Sequence, residues 1–230
     1  MYRLHIANKN YSSWSLRPWV LMRELGIPFE ERLTPFEGVT NWSSFRTFSP
    51  SGLVPCLVDG ESVIWESLGI VEYLAERHAG VWPQDAAARA WARCASAEMH
   101  AGFAALRQRC AMNCGIRARL VETPAALGKD IARLDELWSE GLARFGGPFL
   151  AGSDFTAVDA FFAPVAFRVQ SYGLELSDSA MTYIHRLLAL SSMQQWYAEA
   201  LEEPWRDAAH EAEISEFATL LEDRRGDGST

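Results

Sequence analysis

The strand-like segments of this chain all fall in its first third, and from Asp85 onward only helical spacing is read. YRLHIAN (2–8) alternates apolar and polar residues and predicts a strand. SLRPWVLMRELG (15–26) places Leu16, Trp19, Val20 and Leu25 at helical spacing, with Pro18 in the first turn and Gly26 as a stop. PFEERLT (28–34) predicts a second strand. NWSSFRTFSP (41–50) reads as irregular or as a short helical turn. PCLVDGESVIW (55–65) reads as two short strands about Asp59-Gly60, and ESLGIVEYLAERH (66–78) as a helix. The order β-α-β-α-β-β-α predicts a compact α/β unit over residues 1–80. AGVWPQDAAARA (79–90) changes the texture, and residues 81–89 are read as a linker. Beyond it, 85–113 reads as one long Ala-rich helix, 123–145 as a second with Thr123 as cap and Pro124 at its first position, and 156–173 as a third. Shorter helices follow across 179–203, so residues 90–220 are expected to form an all-helical domain, and EDRRGDGST (222–230) reads as a loose polar tail.

Composition narrows the function. The chain is 49% hydrophobic and 22% charged, as a globular protein is, and carries a net charge of −9. That balance argues against nucleic acid, whose phosphates need a basic patch, and against anionic membranes. It leaves room for a small anionic ligand held by a few local donors. No 18-residue apolar run and no signal-like N-terminus are read, so a cytoplasmic protein without membrane attachment is expected, and the sequons at Asn10 and Asn41 carry no weight. Cys56, Cys94, Cys110 and Cys114 form no C-x-x-C pair and have no His cluster beside them, so packing is expected and a metal site is not.

Three short stretches of the first domain bear chemistry. In KNYSSWSLRPW (9–19), Ser12 and Ser13 stand at a helix mouth, where unpaired N–H groups and the positive dipole end gather. A serine there commonly caps the helix, a role open to Ser13 or Ser15. It equally suits a hydroxyl that donates to a bound thiolate. Lowering a thiol pKa from about 8.5 by two units takes about 2.7 kcal/mol. The dipole supplies about 0.3–1 kcal/mol and a hydrogen bond to a charged group about 1.5–3, so both together suffice where the dipole alone falls short. GLVPCLV (52–58) brings Pro55 to the start of a strand; the spacing alone implies a trans bond, while a cis bond turns the Val54 backbone outward for an extended peptide. WESLGIVEYL (65–74) opens a helix at Glu66 and Ser67, an ordinary acidic first turn or a carboxylate site with Glu66 accepting from an ammonium.

The succession YSSWSLRPW, GLVP, ESLGIVEYL and then a helical half resembles the cytosolic glutathione transferases, and the serine pair resembles the serine-type, zeta-like branch. The resemblance covers nearly the whole chain. It implies a thioredoxin-like N-terminal domain followed by an all-α domain, and glutathione as co-substrate. It also implies a homodimer, and a detoxifying conjugation of the glutathione thiolate to a small apolar electrophile. Ser12, with Ser13 beside it, matches the thiolate-assisting position. Val54 matches the residue whose backbone pairs with the cysteinyl part, which favours cis-Pro55, and Glu66 and Ser67 match the pair holding the γ-glutamyl end. Trp14 stands where zeta-type members carry a cysteine, a departure from their isomerase chemistry. Leu53 replaces the Lys or Gln that many members use for the glycyl end, leaving Arg46, Trp42 or Ser43 for that task. The electrophile would lie between the domains, against Trp14, the 36–42 loop and Met99, His100, Phe103 and Arg107, although a histidine such as His100 is more often solvated or packed. Other glutathione reactions (isomerisation, ether cleavage, peroxide reduction) and a non-enzymatic binding role are the alternatives. GSDFTAVDAFFAPV (152–165) resembles the family's N-capping box, with Thr156 as cap and Asp159 bonding back.

Overall fold

The computed structural model describes residues 1–36 and 41–226. Its first part runs β1 (Tyr2–Ile6), α1 (Ser13–Glu24), β2 (Phe29–Leu33), α2 (Trp42–Phe45), β3 (Cys56–Asp59), β4 (Ser62–Trp65) and α3 (Ser67–Ala75). These strands form one mixed sheet in the order β2-β1-β3-β4, with β1 parallel to β2 and the other pairs antiparallel. Among the described residues the one parallel pair is the pair bridged by a helix, since parallel neighbours need a crossover connection.

The second part comprises α4 (Ala86–Ala101), α5 (Ala104–Arg109), β5 (Ile116–Leu120), α6 (Ala125–Phe145), α7 (Ala157–Tyr172), α8 (Asp178–Ala189), α9 (Ser191–Glu202), α10 (Ala208–Phe217) and β6 (Ala218–Asp223). α7 is buried on nearly every face and forms the axis of this half. α1 packs against it and against α9, so the two halves share one core, with Trp19 of α1 set edge-on to Trp196 of α9 at 5.1 Å between ring centres. The architecture is the thioredoxin-like plus helical arrangement expected.

Five details differ from the pattern. The helix expected over 85–113 breaks at Gly102, where Phe103 takes a left-handed conformation (φ 57°) and starts α5. The region expected to be purely helical contains β5 and β6, an antiparallel pair joining Ile116 to Asp223. Residues 222–226 are not a loose tail: Glu222 and Asp223 belong to β6, and Arg225 is buried. Pro124, not Thr123, is the cap of α6, so the helix starts one residue later than its sequence signal. Pro18 lies inside α1 and not in its first turn.

The buried capping box is as expected: Asp159 Oδ2 accepts from the Thr156 N–H (2.9 Å), while Oδ1 accepts from the Leu150 N–H (3.0 Å) and the Tyr183 hydroxyl (2.9 Å). Burial pushes its carboxyl up to about 6, against the pull of these donors.

Candidate active site

The loop from β1 to α1 is held by the helical half. The Lys9 and Asn10 N–H groups donate to the Glu203 carboxylate (2.5 and 3.3 Å), the Asn10 amide donates to the Ala200 carbonyl, and Trp196 Nε1 donates to the Lys9 carbonyl (2.9 Å). Thus fixed, the chain turns so that the Ser12 N–H reaches the Asn8 carbonyl (2.9 Å) and the Ser13 N–H the Tyr11 carbonyl (2.9 Å). Ser12 occupies the cap position of α1, but its hydroxyl takes no helix N–H; it donates to Ser15 Oγ at 2.7 Å, which also accepts from the Ala7 N–H. The Ser13 hydroxyl makes no hydrogen bond among the described residues. Both serines face a cleft of about 280 Å³ between the two halves of the chain.

Across that cleft lie Leu53 and Val54, and the Val54–Pro55 bond is cis. Trp14, Leu53 and Val54 also border a second cleft of about 280 Å³, lined by Pro55, Glu66, Ser67 and His100. Glu66 caps α3 from a left-handed backbone position (φ 30°), its Oε1 accepting from the Leu68 and Gly69 N–H groups (3.0 and 3.4 Å). Its Oε2 lies 3.2 Å from His100 Nε2. Burial lowers the His100 pKa; Arg17 and Arg107 push the same way and Glu66 opposes them. The Ser67 hydroxyl is buried and has no partner among the described residues.

The sequence-predicted residues therefore divide. Ser12, Ser13, Trp14, Val54 and Arg107 border the first cleft, and Trp14, Val54, Pro55, Glu66, Ser67 and His100 the second. Met99 and Phe103 border neither. Met99 is 1% exposed and Phe103 6%, both within the core. The reason is rotation: successive residues of a helix point about 100° apart, so when His100 faces the cleft Met99 faces the core. Phe103 is turned inward by its left-handed backbone. Of the 36–42 loop, Phe36 borders the first cleft, while 37–40 lie outside the described residues. Leu53 is 63% exposed and offers no donor; Arg46 donates to the Pro50 carbonyl.

Several wall residues escaped sequence reasoning. Tyr11 borders the first cleft, but its hydroxyl donates to Glu211 (2.5 Å) and accepts from Arg225 (3.1 Å), and burial together with Glu211 raises its pKa. α10 adds His210 and Glu213, and α7 adds Arg168. A signal existed for Arg168 and for Arg17: each is a lone cation in an apolar run, AFFAPVAFRVQS and SLRPWVLM. Arg17 is fully buried, and among the described residues none of its three guanidinium nitrogens has a hydrogen-bond partner. Its guanidinium lies 4.1 Å from the centre of the Trp14 ring, and that of Arg107 lies 4.8 Å from it. Burial lowers the pKa of all three arginines, to about 10 for Arg107, and their mutual repulsion adds to the shifts of Arg17 and Arg107.

The glutathione S-transferase N-terminal domain family matches residues 11–77, a span containing every proposed glutathione contact. The chain is 28% identical over 216 residues to the glutathione S-transferase GstB of Escherichia coli K12, covering 85% of this chain and 92% of that protein. Over 65 residues it is 42% identical to the dichloromethane dehalogenase of Methylorubrum extorquens, 26% of this chain and 23% of that one. In three dimensions it is similar to a glutathione transferase of Methylococcus capsulatus (TM-score 0.66, 25% identity, 87% and 100% of the two chains). It is likewise similar to a glutathione-bound homologue from Burkholderia gl BGR1 (TM-score 0.64, 23% identity, 86% and 97%).

Proposed function

We propose that this chain, which belongs to the glutathione transferase superfamily, conjugates the glutathione thiolate to a small apolar electrophile at the mouth of α1. The observation that carries this reading is the pair of hydroxyls, Ser12 and Ser13, at a helix N-terminus on the cleft wall, facing the Val54 backbone. In this reading the γ-glutamyl end lies in the second cleft. There the unpartnered Ser67 hydroxyl and the α3 N-terminus favour its carboxylate, and Glu66 its ammonium. The cysteinyl part lies along Val54, and its sulfur rests between the two clefts.

Helix N–H groups and a serine hydroxyl stabilise the thiolate over the thiol, whose proton passes to water. Ser13 is free to donate at once. Ser12 first reverses its bond with Ser15, so that Ser15 donates to it, an exchange of hydrogens that leaves both oxygens in place. The sulfur lone pair then forms a carbon–sulfur bond and the leaving group departs with its electron pair. The Tyr11 hydroxyl at the cleft is engaged by Glu211 and Arg225, and no cysteine borders the cleft among the described residues. A homodimer and a cytoplasmic location belong to the same reading. The apolar Val63 and Trp65, exposed on edge strand β4, support the first. That no helix among the described residues is long and apolar enough to cross a membrane is compatible with the second.

The test is glutathione-dependent conjugation of chlorodinitrobenzene by wild type, Ser12→Ala, Ser13→Ala and the double variant. A charge-assisted hydrogen bond of about 2.7 kcal/mol corresponds to an approximately hundredfold loss in the double variant. A double variant as fast as wild type removes both hydroxyls from the mechanism, and the single variants name the principal donor.

A further inference from the structure

The inner wall of the first cleft carries more positive charge than its surroundings neutralise. Arg168 is 4% exposed; one guanidinium nitrogen donates to the Cys110 carbonyl, and its buried Nε has no partner among the described residues. Arg107 donates from Nε and Nη2 to the carbonyls of Gly102 and Met99. Arg17 stacks on Trp14 and makes no hydrogen bond among the described residues. Among the described residues, no carboxylate lies within 4.0 Å of any of these three guanidinium groups, although the chain carries a net charge of −9 and pairs its other buried arginine, Arg225, with two carboxylates. Among the described residues Glu213 is the one carboxylate on this wall; it opposes the downward shift that burial imposes on Arg168 but forms no ion pair with it.

Buried cations without counter-ions are strongly disfavoured, and contact with aromatic faces offsets only part of that cost. A fold that keeps one such cation, Arg168, beside the half-buried Arg107 on a cleft wall is adapted to a ligand that brings the missing negative charge. Phe36, Phe45, Ala111 and Met112 give this wall an apolar stretch, beside the polar Tyr11, His210 and Glu213. We propose that Arg107 and Arg168 form a carboxylate subsite for the electrophile, so that the second substrate is an apolar body bearing a carboxylate. The inference rests on the conjugation reading given above. Glutathione's own γ-glutamyl carboxylate is assigned there to the second cleft, on the other side of Trp14.

The experiment compares chlorodinitrobenzoate with its uncharged methyl ester. In both, the glutathione sulfur bonds to the ring carbon and chloride leaves with the carbon–chlorine electron pair. The ratio of kcat/KM for acid over ester is measured in wild type, Arg107→Met, Arg168→Met and Arg168→Lys. Each variant's own ratio cancels the intrinsic reactivity of the two compounds. The expected result is a fall in that ratio of about tenfold for each Met variant, with partial recovery in Arg168→Lys, which keeps the charge. The KM for glutathione is expected to stay unchanged. An unchanged ratio in folded Arg107→Met overturns the subsite. So does a fall confined to glutathione affinity, which assigns the arginines to glutathione instead. Binding of dinitrobenzoate, followed by calorimetry, separates this proposal from the conjugation reading. If wild type turns over neither compound yet binds dinitrobenzoate, and Arg107→Met does not, the subsite stands and the conjugation reading falls. If dinitrobenzoate binds wild type and Arg107→Met equally, the subsite falls.

Discussion

The starts of α7 and α1 use the same chemistry to opposite ends. At α7 the carboxylate of Asp159 is fully buried and accepts from two backbone N–H groups and the Tyr183 hydroxyl, leaving nothing for a ligand. At α1 the cap residue Ser12 leaves the helix N–H groups alone, and Ser13 beside it has a free hydroxyl on a cleft wall. The arginines repeat the contrast. Arg225 donates to Glu211, Asp223 and the Tyr11 hydroxyl, closing β6 and α10 over the β1–α1 loop, whereas Arg168 and Arg17 keep unpartnered nitrogens. A satisfied polar cluster serves stability, and an unsatisfied one at a cleft is available to a ligand.

The largest expected effect breaks the closed side. Asp159→Ala strands three buried donors at about 1–3 kcal/mol each, a loss of about 5 kcal/mol measurable by urea unfolding. A loss below about 1 kcal/mol would mean that the α7 start is no more demanding than that of α1. The same residue gives a pH signature. Its folded pKa, about 6, lies above the usual 3.8, so the folded state binds the proton more tightly. The stabilisation linked to that proton is complete below about 3.8 and is lost as pH rises through about 6. The stability of wild type relative to Asp159→Asn should therefore fall between pH 4 and pH 7, on the order of 3 kcal/mol, and a gap independent of pH would refute it.

Arg225→Met should cost about 3 kcal/mol, at the low end for a buried ion pair because Glu211 and Asp223 keep 33% and 37% of their side chains exposed. Hydrogen exchange should rise in β5 and β6 before it rises in β1 to β4, and uniform protection would show that the latch holds nothing. The smallest effect sharpens the open side. Because the Ser12 hydroxyl caps no N–H, Ser12→Ala should change stability by less than about 0.5 kcal/mol, against about 1 for a true cap. A thermal shift of the size expected from a true cap would reassign Ser12 to structure.

Much of this contrast was legible in the chain. The box at α7 is local, since Thr156 and Asp159 stand three residues apart and one helical turn brings them together. The strand-then-helix order of the first 80 residues is equally local. The alternation of Ile116, Ala118 and Leu120 was present too, but a strand needs a partner, and that partner lies about a hundred residues further on. Met99 and His100 are neighbours in sequence, and only the packing of α4 against α7 decides which one meets the cleft.

By itself, the amino-acid order determined the succession of elements over the first 80 residues, the capping box at α7, and the hydroxyls and carboxylate at the starts of α1 and α3, because periodicity and capping act within one or two turns. The tertiary structure alone decided which hydroxyl is engaged, that His100 meets Glu66, that Arg225 locks against Tyr11, and that arginines from α1 and α5 stack on Trp14. Those groups are brought together by burial of a shared core, whose pull is proportional to area and indifferent to distance along the chain.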